Sequence, residues 1–238
     1  MMASLFNHGD VIEHLLSNGA NIERQDMNGL TPLLLASMDG NEHAVKVLLK
    51  NGANIFAIDK EDKTCLFLAS ARNHKDVVDR LLRDERSMDL LDRNDRYDNT
   101  PLHVAAAHGF LDVVQNLLNH GADVDRKNED EQTPLLVAAK AGRPRVCRII
   151  LDHDIAAVND EDNDSQTALH LACIHGNYDV VELLIDKGAD IEARDYNLWT
   201  PLDCAAAHGR PKCTRMLLEA GAPVDAVDKV ITELIWGN

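Results

Sequence analysis

The stretch NTPLHVAAAHGFLDVVQNLLNHGADVD, residues 99–125, holds a turn, a threonine–proline helix start, a glycine stop, a run of paired aliphatics and a glycine–alanine exit, in that order. Threonine is a good N-cap because its hydroxyl accepts from an early helical N–H, and proline suits the first helical position, where its missing N–H leaves nothing unsatisfied. Gly109 sits where a helix stops in a left-handed conformation that glycine reaches freely. The spacing predicts two short helices joined by a tight loop.

Outward from this stretch the pattern recurs along the chain. Threonine stands at Thr31, Thr64, Thr100, Thr133, Thr167 and Thr200, at separations of 33, 36, 33, 34 and 33 residues. A fixed period of this length marks a stacked-repeat architecture. Nine residues after each threonine comes Gly40, Asn73, Gly109, Gly142, Gly176 or Gly209, and asparagine tolerates the same backbone. Seventeen residues after each threonine lies the ridge of a second helix: Leu48-Leu49, Leu81-Leu82, Leu117-Leu118, Ile150-Leu151, Leu184-Ile185 and Leu217-Leu218. Paired small residues such as Ala105-Ala106 and Ala138-Ala139 let neighbouring helices approach, and an aliphatic anchors each following turn at Ile22, Ile55, Leu91, Val124, Val158, Ile191 and Val224.

These residues resemble the ankyrin repeat, whose unit opens T-P-L-H, carries V-V-x-x-L-L in its second helix and leaves through G-A-D-V. TPLH at 100–103 and TALH at 167–170 match closely. The resemblance implies an all-α solenoid of helix-turn-helix units joined by β-hairpin-like fingers. The expected division is a truncated first repeat at 1–20, repeats at 21–53, 54–89, 90–122, 123–156, 157–189 and 190–222, and an incomplete repeat or tail at 223–238, where the next threonine slot holds Glu233. Both ends read as boundaries of a fragment. Because a repeat stack buries its core between neighbours, one elongated domain is expected. In the repeat 64–99 the segment RDERSMDLLDRND that follows Leu81-Leu82 is three residues longer than its counterparts, which predicts a lengthened helix or a bent finger.

The formal net charge of −16 argues against nucleic acid, since phosphate binding needs clustered lysine and arginine. Basic partners or plain solubility fit better. No run approaches the roughly 18 apolar residues of a membrane span, and no signal peptide precedes the repeats, so a cytoplasmic location is expected, with membrane contact only through regions outside the fragment. The five cysteines, Cys65, Cys147, Cys173, Cys204 and Cys213, form no C-x-x-C pair and stand where small hydrophobes would do. They read as structural thiols, with redox or electrophile sensing as the alternative, which would need a depressed thiol pKa.

No catalytic constellation is apparent. The histidines form no H-E-x-x-H or Cys/His cluster; His103 and His170, in the first helical turn, read as partners of the capping threonine. Asp160, Asp162 and Asp164 alternate like the start of a calcium loop, but Ser165 and Leu171 stand where such a loop needs glycine and glutamate, so a solvated loop is the default and a weak calcium site the alternative. There is no nucleophile elbow and no phosphate-cradling glycine loop, so neither enzymatic activity nor a cofactor is expected.

Function is therefore sought on the surface that repeat stacks present through their fingers and first helices. One position is the residue before each threonine: Leu30, Lys63, Asn99, Gln132, Gln166 and Trp199. Another is the pair before each glycine slot, including Ile174-His175 and Ala207-His208. Trp199 stands out because exposed aromatics are favoured at binding hot spots; packing onto Leu198 or a neighbouring finger is the alternative.

The segment from 189 to 229, with LWTPLDCA at 198–205 and APVD at 222–225, is similar to the distal repeats of the transient receptor potential ankyrin (TRPA) channels. That resemblance implies a cytoplasmic segment of a tetrameric, calcium-permeable sensory channel, docked to a partner protein or a neighbouring subunit. A soluble cytoplasmic scaffold binding one partner remains open beside it.

Overall fold

A computed structural model describes residues 1–154 and 156–224, with Ala156 by its backbone alone. The expected slot at Glu233 and the rest of the tail from 225 lie outside the described residues. The threonine–proline starts become first helices and the aliphatic ridges become second helices. In chain order the pairs are α1 (Met2–Leu5) and α2 (Gly9–Ser17); α3 (Pro32–Met38) and α4 (Glu42–Lys50); α5 (Cys65–Ala71) and α6 (Lys75–Leu82); α7 (Pro101–His108) and α8 (Leu111–Asn119). There follow α9 (Pro134–Lys140) and α10 (Pro144–His153), α11 (Ala168–His175) and α12 (Tyr178–Asp186), and α13 (Pro201–Ala207) and α14 (Pro211–Glu219).

Where one continuous domain is expected, the contacts divide the chain into two compact units. One holds Met1–Ala105 and Phe110–Asp123, the other Ala106–Gly109 and the chain from Val124. In the first, α3 packs on α1 and α5, and α4 on α2 and α6. In the second, α11 packs on α9 and α13, and α12 on α10 and α14. The cores are the expected ridges: Leu48, Leu81 and Leu117 in the first unit, Ile150, Leu184 and Leu217 in the second, all at most 1% exposed. Three anchors depart from expectation, for Ile22 and Ile191 are half-buried and Val224 is 76% exposed.

The first helices start as their residues dictate. Thr31, Thr64, Thr133 and Thr200 accept at their hydroxyls from the N–H three residues on. Asn73 takes the glycine slot at φ 59°.

A second interlock joins the repeats. At five of the six glycine slots, all but Gly109 with its following Phe110, the next residue reaches back to the carbonyls that end the preceding first helix. Asn41 Nδ2 donates to Ser4 and Leu5, His74 Nε2 to Met38, Arg143 Nε to Ala107, Asn177 Nδ2 to Ala139 and Lys140, and Arg210 Nε to Ile174. Donors there satisfy carbonyls that have no partner inside the helix, and the cationic ones also meet the negative end of its dipole. The side chain crosses the bare face of the preceding glycine: a Cβ on Gly142 would lie 2.7 Å from Asn177 Oδ1. Glycine is needed there for room as well as for its φ of 67°.

The fingers are closed turns. Asp26, Asp59, Asp95, Asn128, Asp162 and Asp195 each stand five residues before a threonine, and one side-chain oxygen of each accepts from the N–H groups two and four residues on. A backbone bond from the same residue to the carbonyl four on completes the loop. Among the described residues the hairpin-like reversal carries only isolated bridges, Ile58 to Thr64 and Glu161 to Thr167. Successive fingers are tied by one N–H each, Lys60 to Asn28 and Arg96 to Glu61 in the first unit, Asn163 to Asp130 and Tyr196 to Asp164 in the second.

The long exit after Leu82 is neither a lengthened helix nor a bent finger. A 3-10 turn, Glu85–Leu90, follows α6, its start capped by Asp84, which accepts from the Arg86 N–H and holds the Arg86 guanidinium at 2.6 and 2.8 Å. The extra residues are absorbed there because Leu90 and Leu91 are drawn into the core.

Candidate functional site

Of the residues expected to face a partner, Leu30, which is buried, Lys63 and Asn99 belong to the first unit and the others to the second. Asn99 is half-buried, and its backbone N–H and side-chain Nδ2 both donate to Asp95 Oδ1, at 3.0 and 3.4 Å. In the second unit His175, Ala207 and His208 are exposed, while Gln166, Ile174, Leu198 and Trp199 are half-buried. Both histidines turn back on their own helices, Nδ1 donating to Leu171 and Cys204 carbonyls at 2.9 Å. Gln132 is 5% exposed, and its amide donates to Asp162 Oδ2 at 3.3 Å. It ties two fingers together and presents little surface.

The finger from Asp195 to Trp199 is closed like the others but carries a leucine at its left-handed position. Asp195 Oδ1 accepts from the Asn197 and Trp199 N–H groups at 2.8 and 2.9 Å. Leu198 takes the left-handed slot at φ 64°, where the other fingers place Gly29, Asp62, Asp98, Glu131 and Ser165. A γ-branched residue there costs roughly 1–2 kcal/mol. Behind the tryptophan, His170 Nδ1 accepts from the Thr167 N–H at 3.2 Å, so Nε2 carries the proton and donates to the Trp199 carbonyl at 3.0 Å. Burial lowers the His170 pKa, and the bond to Trp199 with the nearby Asp195 and Asp162 charges opposes it. Asp203 replaces His170 one repeat later, accepting from the Thr200 N–H at 2.9 Å.

The calcium candidates do not converge. Asp162 spends Oδ1 on Asp164 and Gln166 and Oδ2 on Gln132, and burial with the Asp125 and Asp154 charges raises the Asp160 pKa. Among the described residues no group of three His, Cys, Asp or Glu side chains could hold a metal ion. All five cysteines are free and buried. Burial pushes the Cys65, Cys147 and Cys204 thiols up to about 12, and Cys173 and Cys213 upward, the reverse of what a reactive thiol needs. No described helix is long and apolar enough to cross a membrane.

The finger-closing side chains were legible as an Asp or Asn five residues before every threonine, a signal that reading for exposed residues passes over. The strain at Leu198 has its own signal: a leucine two residues before threonine, where the other repeats carry glycine or a polar residue.

With this geometry in place, the family described as "Ankyrin repeats (3 copies)" matches residues 1–94, 53–128, 102–195 and 156–228. The chain belongs to the ankyrin-repeat family. Its ankyrin repeats are 32% identical over 201 residues to the human "Transient receptor potential cation channel subfamily A member 1", covering 83% of this chain and 18% of the channel. Against the Drosophila melanogaster channel of the same name the identity is 30% over 194 residues, covering 79% and 16%. The chain thus spans less than a fifth of the length of these relatives. The crystal structure of the human ASB11 ankyrin repeat domain superposes with a TM-score of 0.80 at 26% identity, covering 94% of this chain and 98% of that one.

Proposed function

We propose that the chain is a non-enzymatic protein–protein interaction module that holds its partner against the finger carrying Leu198 and Trp199 and against the exposed first-helix ends at His175 and Ala207-His208. The observation that carries this reading is a left-handed leucine next to a half-buried indole. Neither is required by the turn, which other fingers close with glycine or polar residues, and local strain of this kind clusters at ligand clamps. The net charge of −16 favours a basic partner segment.

The whole protein is, on this proposal, a sensory cation channel of the TRPA type, with the repeats as a cytoplasmic regulatory segment docked to a partner protein or to a neighbouring subunit of a tetramer. Alignment of more than three quarters of the chain with two such channels supports it. The likeness to the ASB11 domain over nearly all of both chains favours a second reading, a soluble cytoplasmic scaffold. Reading the transcript beyond residue 238 separates them, since further repeats followed by membrane spans establish the channel and an early polar stop establishes the scaffold.

The binding face is tested by affinity capture from cytoplasmic extract with the chain and with Trp199→Ala as baits. Hot-spot tryptophans commonly lose about 2 kcal/mol or more on truncation, roughly thirtyfold in affinity. Loss of a captured protein with a nearly unchanged melting temperature supports the proposal. Retained capture with stability lowered by about 2 kcal/mol makes Trp199 a packing residue and removes it.

A further inference from the structure

The second helices of the first unit break the repeat pattern in a way that packing does not require. Arg80 occupies the slot that holds Val47, Asn116, Ile149, Leu183 and Met216 in the other full repeats. Lys50 and Arg83 share a slot held by Asn119, Asp152, Asp186 and Glu219 in the later ones. With Lys46, one turn before Lys50, these cations line an open hollow of about 270 Å³ between α4 and α6, floored by Leu49 and edged by Asp84.

Within the lining of the hollow, four cations face one carboxylate. Lys50 pairs with Glu13 at 3.3 Å and Arg80 with Glu42 at 2.6 Å, both partners lying outside the hollow's lining. Asp84, the one carboxylate lining the hollow, is engaged by Arg86. Lys46 and Arg83 are exposed and take part in neither pair. Glu42, Asp76 and Asp79 lie on the other side of Arg80 and Arg83, in an adjoining hollow. Last-turn cations suit a helix C-terminus, which accounts for Lys50, Arg80 and Arg83 but not for Lys46.

We propose that this hollow is an anion site for a ligand bearing at least two phosphoryl groups, free in solution or carried on a lipid headgroup. The guanidiniums offer the forked donors that match phosphate oxygens, and the lysines add point charge from the facing helix. In a chain of net charge −16 the long-range field repels anions, so such a ligand is held by short contacts and its affinity falls with salt.

The test titrates the whole isotope-labelled chain with inorganic pyrophosphate and follows backbone amide shifts. Saturable shifts confined to residues 46–50 and 80–84, and weaker binding of orthophosphate, are expected. The double variant Lys46→Gln/Arg83→Gln, altering exposed side chains only, should bind about tenfold more weakly or worse, while Trp199→Ala should bind as the parent. Arg80→Leu restores a repeat-like residue and should lose affinity without lowering the melting temperature. Co-sedimentation with phosphatidylcholine vesicles only when they contain a phosphoinositide bisphosphate, and less well with phosphatidic acid, assigns the phosphates to a headgroup; pyrophosphate binding without it assigns a soluble ligand. Absence of saturable shifts, equal affinity in the double variant, or displacement of pyrophosphate by an equimolar polyglutamate peptide overturns the proposal.

Discussion

Asp195, 4% exposed, closes its finger with a single carboxylate oxygen accepting from two N–H groups. Asp195→Ala leaves both donors without that partner where water reaches them poorly, so a loss of about 2–3 kcal/mol is expected in urea unfolding, with the Trp199 finger loosened first. His170 acts on the same finger from behind. Its folded pKa lies below the unfolded value of about 6.5, so its contribution to stability is complete above that pH and is lost as pH falls through the folded value. Urea melts at pH 7 and pH 5 should therefore show a smaller acid loss for His170→Gln than for the parent. Equal losses in the two would assign the acid sensitivity elsewhere. At this scale the threonine caps and the imidazole acceptors were legible, because each depends on residues three apart. The bond from His170 to the Trp199 carbonyl was not, since it joins residues 29 apart in sequence.

At the level of elements, the reach-back side chains and the bare glycines form one device, and two glycines separate its parts. Gly121 has φ 89° with open space around it, whereas Gly142 has φ 67° and Asn177 close above it. Gly121→Ala should cost only the left-handed penalty, roughly 1–2 kcal/mol. Gly142→Ala should cost more, because Asn177 can move aside only by giving up its bonds to Ala139 and Lys140 at 2.9 and 3.0 Å. Equal shifts in melting temperature would show that the glycines serve backbone conformation alone. The glycine period was plain in the sequence; the second reason for it was not, because it depends on a side chain some 34 residues later in the adjacent repeat. The extra residues between Leu82 and Asp95 were misjudged for a related reason. Their length predicts an irregularity, but only burial of Leu90 and Leu91 selects a 3-10 turn over a longer helix.

For the whole molecule, stability is a sum over repeats and their neighbours, so identical side chains should matter differently along the chain. Leu117 is fully buried, while Leu15, its counterpart on α2, is 47% exposed. Val11 on α2 is likewise 49% exposed where Ala44 on α4 is buried. Leu117→Ala should cost roughly 2–5 kcal/mol, as buried leucine truncations do, and Leu15→Ala much less. Amide hydrogen exchange across the chain tests the neighbour dependence most directly. Protection should rise in the first unit from α1 and α2 toward α5 and α6, and in the second from α14 back toward α9 and α11. Uniform protection from residue 5 to residue 224 would contradict a fold in which each repeat is held by the next.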